Sequence, residues 1–210
     1  MGSEMCIRDR LDTRPGFMKV GRKTIRDHRN YGVIDMTTVL TKSSNVGTTK
    51  LALSLGSGAL HSIFEEVGFG RNVNSGMPGE SDGVLPMPHR NRPIEVATMS
   101  YGYGLSVTAL QLANAYTILA NDGLEKPLSI LHRNEEVQGI RVVDKKTSRQ
   151  IVKMLETVVS KRGTASRASV QGFSVAGKTG TVHKVVNGVY ADNQYTSLFC
   201  LVYTSDAADE

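Results

Sequence analysis

Apolar positions along this chain recur with two periods, and the switches between them mark out its elements. Between residues 11 and 34 turn formers alternate with β-branched and basic residues, as in Lys19-Val20-Gly21-Arg22-Lys23-Thr24-Ile25, which predicts a short hairpin or extended loop. From Asp35, read as an N-cap, the residues Met36, Val39 and Leu40 recur at helical spacing as far as Lys42, so a helix delivers Ser43 at its end. Asn45 opens a second stretch of that period, Val46 to Leu55, with Gly56 as its stop. Ser43-Ser44-Asn45 therefore lies in a helix-to-helix corner. A third helix is predicted over 57–67, where Leu60, Ile63, Phe64 and Val67 stand at i, i+3, i+4 and i+7 and Gly68 follows.

Residues 71–93 carry Gly76, Pro78, Gly79, Gly83, Pro86, Pro88 and Pro93 without periodicity and read as a long surface loop. Thr108 caps the next helix, whose apolar residues Leu110, Leu112, Ala113, Tyr116, Leu119 and Ala120 surround the axis and predict a buried helix closed by Asn121-Asp122-Gly123. Ile130 to Val143 reads as a strand pair turning near Asn134-Glu135, and Thr147 to Ser160 as an amphipathic helix through Ile151, Met154, Leu155 and Val158. Phe173 to Lys178 alternates as a strand, Val182 to Val186 continues it, Asn187-Gly188 is a two-residue hairpin turn, and Tyr190 to Phe199 returns. Lys178 is thus expected on an antiparallel strand.

At 210 residues, 40% apolar and 21% charged, the chain suits one globular domain. No apolar run approaches the roughly 18 residues needed to cross a bilayer, and no secretory segment opens the chain, so an anchor in the parent protein is expected outside this sequence. Residues 1–10 and 200–210 fit their neighbours poorly and are expected to be a non-native leader and tail around a partial domain at 11–199. Without them the net charge of +5 becomes +8, from 23 basic and 15 acidic residues. The basic residues are nevertheless dispersed, aromatics are 6% and Trp is absent, which argues against nucleic-acid binding. Cys6 and Cys200 form no disulfide framework, and His28, His61, His89, His132 and His183 have no metal-ligand spacing, so no metal or cofactor is implied.

Gly172-Phe173-Ser174-Val175-Ala176-Gly177-Lys178-Thr179 matches the phosphate-binding pattern of two spaced glycines followed by Lys-Thr. Such a cradle needs a helix after the lysine, because backbone N–H groups at a helix N-terminus hold the anion. Here Thr181 to Val186 is β-branched and a hairpin turn follows, so nucleotide binding is only a distant alternative.

Ser43-Ser44-Asn45 and Lys178-Thr179-Gly180 are the second and third signatures of the penicillin-recognising acyl-transferases. Neither tripeptide is specific alone, and helix-corner capping by Ser43 and Asn45 or a solvated strand lysine at 178 are the plain alternatives. Order and context carry more: Thr41-Lys42-Ser43-Ser44-Asn45-Val46-Gly47, then Ser100-Tyr101-Gly102-Tyr103-Gly104-Leu105-Ser106-Val107-Thr108, then Gly163-Thr164-Ala165, then Val175-Ala176-Gly177-Lys178-Thr179-Gly180-Thr181. Over about 11–199 the chain resembles the D,D-transpeptidase domain of the class B penicillin-binding proteins, in particular the septal, cell-division type. The first signature, a Ser with a Lys three residues on, occurs nowhere in the chain. The resemblance places it ahead of Met1 and so implies truncation.

That resemblance implies an α+β, β-lactamase-like fold, an antiparallel sheet flanked by helices and truncated at both ends. It implies acyl transfer from a D-Ala-D-Ala stem peptide of peptidoglycan through a serine acyl-enzyme, with β-lactams as mimics of that peptide. Ser43 would relay a proton to the leaving nitrogen, while Asn45 would hold the substrate amide and orient the missing lysine. Lys178 would supply positive potential near Ser43 and the substrate carboxylate, which the hydroxyls of Thr181 and Thr179 would also bind. The Thr181 N–H would be an oxyanion donor, and Gly180, lacking Cβ, would let the substrate backbone approach. Tyr101 to Gly104 is expected to be structural, its glycines letting backbone pack closely. The parent would be anchored in the inner membrane with this domain facing the periplasm, among other cell-division proteins. The same signatures fit a serine β-lactamase, which needs a further carboxylate (Glu80, Glu95, Glu125 and Glu135 are present), or a non-catalytic β-lactam sensor domain. Every version requires Ser43 and Lys178 to face each other across one groove.

Overall fold

The structure, a computed structural model, describes residues 10–132 and 137–205. Strands β1 (Arg10–Asp12) and β4 (Val33–Asp35) pair antiparallel and enclose a hairpin of β2 (Phe17–Val20) and β3 (Lys23–Arg26). The hairpin turn Gly21-Arg22 begins with Gly21 at φ +58°, the left-handed conformation that tight two-residue loops need. The Asp35 carboxylate accepts the Thr38 N–H and starts helix α1 (Met36–Lys42). Helices α2 (Asn45–Leu55) and α3 (Ser57–Glu66) follow. After a long loop come α4 (Pro93–Met99), α5 (Ala109–Ala120), the short pair β5 (Leu124–Glu125) and β6 (Ile140–Arg141), and α6 (Lys145–Val159). A 3-10 turn at Ser166–Ala168 leads into the long ribbon of β7 (Phe173–Val186) and β8 (Val189–Ser205).

Two apolar clusters hold these elements. Val20, Ile25, Val46 and Ala97 bury the hairpin against α2 and α4, and Val158, Val159 and Ala165 bury α6 against Val175 and Phe199 of the ribbon. Helix α1 bridges them, since the Thr41 hydroxyl meets the Thr157 hydroxyl of α6 and Lys42 Nζ donates to the Arg162 carbonyl at 2.5 Å. The corner after α1 is thereby fixed to the helix on which the ribbon rests.

The elements depart from expectation in five places. Helix α4 was not foreseen, because the proline-rich loop reading ran to Pro93; the informative signal is Pro93 at the first helical turn, where its missing N–H costs nothing. The amphipathic α3 forms but buries none of its residues, and Ile63 is 48% exposed. In α5 the fully or nearly buried side chains are Gln111, Asn114 and Ile118, whereas Leu110 is exposed. Gln111 completes a capping box with Thr108, and its Nε2 donates to the carbonyls of Arg71 and Asp82, so a polar residue anchors the long loop. The strand expected at Ile130 is absent, and β6 pairs instead with Leu124–Glu125, which Pro127 keeps short; the Asn134-Glu135 turn lies outside the described residues. The return strand also runs beyond Phe199 to Ser205, pairing residues 200–205 with 173–178.

Two exposed ion pairs set an acid limit. The guanidinium of Arg149, then the ammonium of Lys145, hold the Asp122 carboxyl down to about 2, and the backbone N–H and ring of His89 hold Glu95 down to about 2. In the unfolded chain these groups take up protons near 3.8 and 4.5. Their contribution is therefore complete above that range and is lost as the pH falls through it towards 2. The melting temperature is expected to drop between about pH 5 and pH 2, with a shallower drop in Asp122→Asn. Equal slopes for the two proteins would contradict the assignment.

Candidate active site

In Ser43-Ser44-Asn45 the side chain that caps α2 is the middle one, while Ser43 closes α1 through its backbone N–H. Ser44, fully buried, accepts the Gly47 N–H on its Oγ at 2.9 Å and starts α2. The side-chain capping of α2 thus falls to neither Ser43 nor Asn45. Ser43 ends α1 in the left-handed conformation, φ 54° and ψ 51°, which costs a non-glycine residue about 1 kcal/mol. Asn45 donates from Nδ2 to the Arg26 carbonyl at 3.2 Å, which directs the carboxamide. Gly47 makes the corner tight, because a Cβ there would stand 2.7 Å from Val39 Cγ2 of α1.

The ribbon faces this corner. Lys178 Nζ donates to Ser43 Oγ at 2.9 Å and to the Thr179 carbonyl at 3.0 Å. A hydrogen bond to a charged group contributes about 1.5–3 kcal/mol, enough to offset the strain at Ser43. Burial lowers the pKa of the Lys178 ammonium, and among the described residues no carboxylate pairs with it. The uncompensated charge favours an anion: a carboxylate about 4 Å away gains about 4 kcal/mol of Coulomb energy before desolvation.

Among the described strands β7 pairs only with β8, so its other edge is open. The His183 N–H points to that edge, where the Tyr103 hydroxyl accepts it at 3.3 Å. Strand groups repeat every second residue, so the Thr181 N–H and the Thr179 carbonyl face the same edge as Lys178 Nζ. Thr179 is half-buried and its hydroxyl lies 3.0 Å from that of Thr164; Thr181 is exposed. A Cβ on Gly180 would meet the Leu198 side chain at 3.2 Å, so the space there is bordered by the ribbon's own partner strand.

Two flanking segments frame the edge. Gly163 packs so closely on the end of α6 that a Cβ would fall 1.9 Å from the Val158 carbonyl oxygen. This close approach delivers Thr164 to Thr179, a role for Gly163-Thr164-Ala165 that sequence reasoning did not supply. On the other side Tyr103 contacts Tyr190 edge-on at 5.2 Å and Tyr101 at 5.8 Å. Contrary to expectation, Gly102 and Gly104 have open space where a Cβ would stand; they are needed for φ values of +93° and +80°.

The stretch from Phe173 to Val186 is one continuous strand, so the glycine–lysine pattern at 172–179 opens no helix and forms no phosphate cradle. Glu80 accepts the Ser75 N–H, Glu95 binds His89 and Arg92, and Glu125 binds Arg71 and Asn114. None of these three touches Ser43 or Lys178; Glu135 lies outside the described residues. Asp27, which sequence reasoning passed over, accepts from both Ser44 Oγ and the Val46 N–H. Nothing in its spacing signals this, since the contact depends on how the hairpin folds back.

Comparison with known proteins places the chain in a family. Residues 8–208 match the family model described as the penicillin-binding protein transpeptidase domain. The chain is 42% identical to the probable peptidoglycan D,D-transpeptidase PenA of Neisseria gonorrhoeae, covering 92% of this chain and 33% of that protein. It is 38% identical to the peptidoglycan D,D-transpeptidase FtsI of Escherichia coli K12, covering 90% and 32% respectively. The chain thus spans about a third of the length of these curated relatives. The apo transpeptidase domain of Burkholderia pseudomallei penicillin-binding protein 3 superposes with a TM-score of 0.87 at 38% identity, over 93% of this chain and 60% of that one. With that family model covering residues 8–208 and a solved transpeptidase domain matching its fold at 38% identity, the chain belongs to the family of penicillin-binding protein transpeptidase domains.

Proposed function

We propose that this chain forms the second and third walls of a peptidoglycan D,D-transpeptidase active site that cross-links stem peptides through a serine acyl-enzyme. The observation that carries the reading is the 2.9 Å hydrogen bond from Lys178 Nζ to Ser43 Oγ, which joins two signatures far apart in sequence. The terminal carboxylate of a D-Ala-D-Ala peptide is drawn to Lys178 and to the hydroxyls of Thr179 and Thr181. The scissile carbonyl meets the Thr181 N–H at the open strand edge, while Gly180 leaves the strand free of a side chain beside it. With Lys178 beside it, the Ser43 hydroxyl passes a proton to the leaving D-alanine nitrogen, and Asn45 holds the adjoining amide. β-Lactams occupy the same groups as mimics of the peptide.

The reading extends to the parent protein as a septal enzyme anchored in the inner membrane and facing the periplasm, working with other cell-division proteins. Among the described residues no helix is long and apolar enough to cross a membrane. Support for transpeptidation over β-lactam hydrolysis comes from Glu80, Glu95 and Glu125, each of which is engaged away from Lys178.

The test compares this 210-residue chain with the full-length protein. A fluorescent penicillin is expected to leave no covalent label on the chain, which has no Ser-x-x-Lys, and a stable label on the full-length protein, which also releases D-alanine from a pentapeptide. Labelling of the chain at any serine, or rapid hydrolysis of penicillin by the full-length protein, would overturn the reading.

A further inference from the structure

We infer that Asp27 is a positioning residue for the active-site corner, its carboxylate and the neighbouring Arg26 carbonyl holding Ser44, Asn45 and Val46 in the register that sets Ser43 against Lys178. Three consecutive residues are tied to this one point at the end of β3. Ser44 Oγ donates to Asp27 Oδ2 at 2.7 Å, the Val46 N–H donates to Oδ1 at 3.0 Å, and Asn45 Nδ2 donates to the Arg26 carbonyl. An ionised carboxylate only accepts, so the polarity of the chain of bonds is fixed. The Ser44 proton points to Asp27, and a lone pair of Ser44 Oγ is left for the Gly47 N–H.

Ser44 is fully buried, so bulk solvent is not at hand as a substitute acceptor. Without Asp27 its proton must turn to a backbone carbonyl, the Gly47 bond weakens, and the first turn of α2 loses two of its partners. Both neighbours of Ser44 feel this directly. Ser43 keeps its left-handed backbone only while the following turn is held, and the Asn45 carboxamide keeps its direction only while Arg26 stays in place. Asp27 itself has no contact with Lys178 or the open strand edge among the described residues, so it acts through the corner.

The functional consequence rests on the transpeptidase reading, and the test separates the two. In the full-length protein, Asp27→Asn, Ser44→Ala and the double variant are compared for penicillin acylation and thermal melting. Asp27→Asn replaces an acceptor oxygen by an amide N–H2, which cannot accept. It is expected to slow acylation at saturating penicillin by roughly tenfold or more, because a misplaced catalytic group loses rate steeply. Half-saturation should stay within about twofold, since the carboxylate-binding groups are untouched. The double variant should be no slower than the slower single one, as expected for residues on one bond. Acylation by Asp27→Asn at the wild-type rate, or slowed only in proportion to the fraction unfolded, overturns the proposal.

Should the unaltered full-length protein fail to acylate, the transpeptidase reading fails and the positioning role is decided on the 210-residue chain by NMR. Asp27→Asn is then expected to speed hydrogen exchange at the Val46 and Gly47 amides by roughly tenfold or more and to shift the Lys178 amine signal. Unchanged exchange and an unchanged Lys178 signal would refute it.

Discussion

Replacing Lys178 by alanine in the full-length protein is expected to slow acylation by a penicillin about 100- to 1,000-fold, the range seen when one preorganised donor is removed from a site of developing charge. The size of the effect follows from burial. Lys178 is half-buried, donates to Ser43 and the Thr179 carbonyl, and has no carboxylate partner among the described residues. Its charge therefore acts on whatever anion enters, with little screening. Arginine is a poor substitute despite its charge, because its planar fork cannot place one donor on Ser43 and another on the Thr179 carbonyl without displacing both. Lys178→Arg is expected to recover less than about a tenth of the lost rate. The burial itself is measurable: the Lys178 amine should titrate below the ordinary lysine value of 10.5. Acylation of Lys178→Ala at a rate near that of the unaltered protein would sink the proposed role.

The second large effect is on stability and lies at Gly163. A methyl group there would meet the Val158 carbonyl oxygen at 1.9 Å, the Val158 carbonyl carbon at 2.4 Å and the Thr157 carbonyl oxygen at 2.6 Å. All three are backbone atoms at the end of α6, so relief requires moving the loop. Gly163→Ala is expected to destabilise the chain by about 3 kcal/mol, the upper part of the overpacking range. For a chain of this size that lowers the melting temperature by roughly 6–12 °C. Gly58 is the control. It lies in the first turn of α3, has open space around the position of a Cβ and has no positive φ, so Gly58→Ala should raise stability by at most about 0.5 kcal/mol. If the two variants melted alike, the close approach at Gly163 would be disproved. Because Gly163 delivers Thr164 to Thr179, its alanine variant should also disturb the contact between those two hydroxyls.

The elements nearest the site were the most legible in the sequence, and the reason is physical. Asp35, Ser43, Gly56 and Asn187-Gly188 are punctuation whose backbone requirements are local, so the corner and the ribbon follow from short windows. What escaped depends on long-range contacts. Gln111 belongs in the core because two carbonyls from the loop after α3 converge on its amide, and no periodicity reveals a polar residue with buried partners. Ile63 and Leu110 have the right spacing for burial yet remain exposed, since spacing sets a direction but not what stands in that direction. Ser44 shows the same limit at the site. Any of three neighbouring residues can cap α2 with its side chain, and the one that does is the one whose own proton Asp27 holds. Residue types and order pointed to the family and to the proposed chemistry, while the contacts that support the corner had to be seen in space.

The bond between Lys178 and Ser43 spans 135 positions of the polypeptide. Contacts so remote carry a large loop-closure entropy and form only when most intervening structure is already in place. Competence at this centre is therefore an emergent property of the whole tertiary arrangement. Partly folded species can recover helices and a hairpin while remaining unable to recognise a ligand.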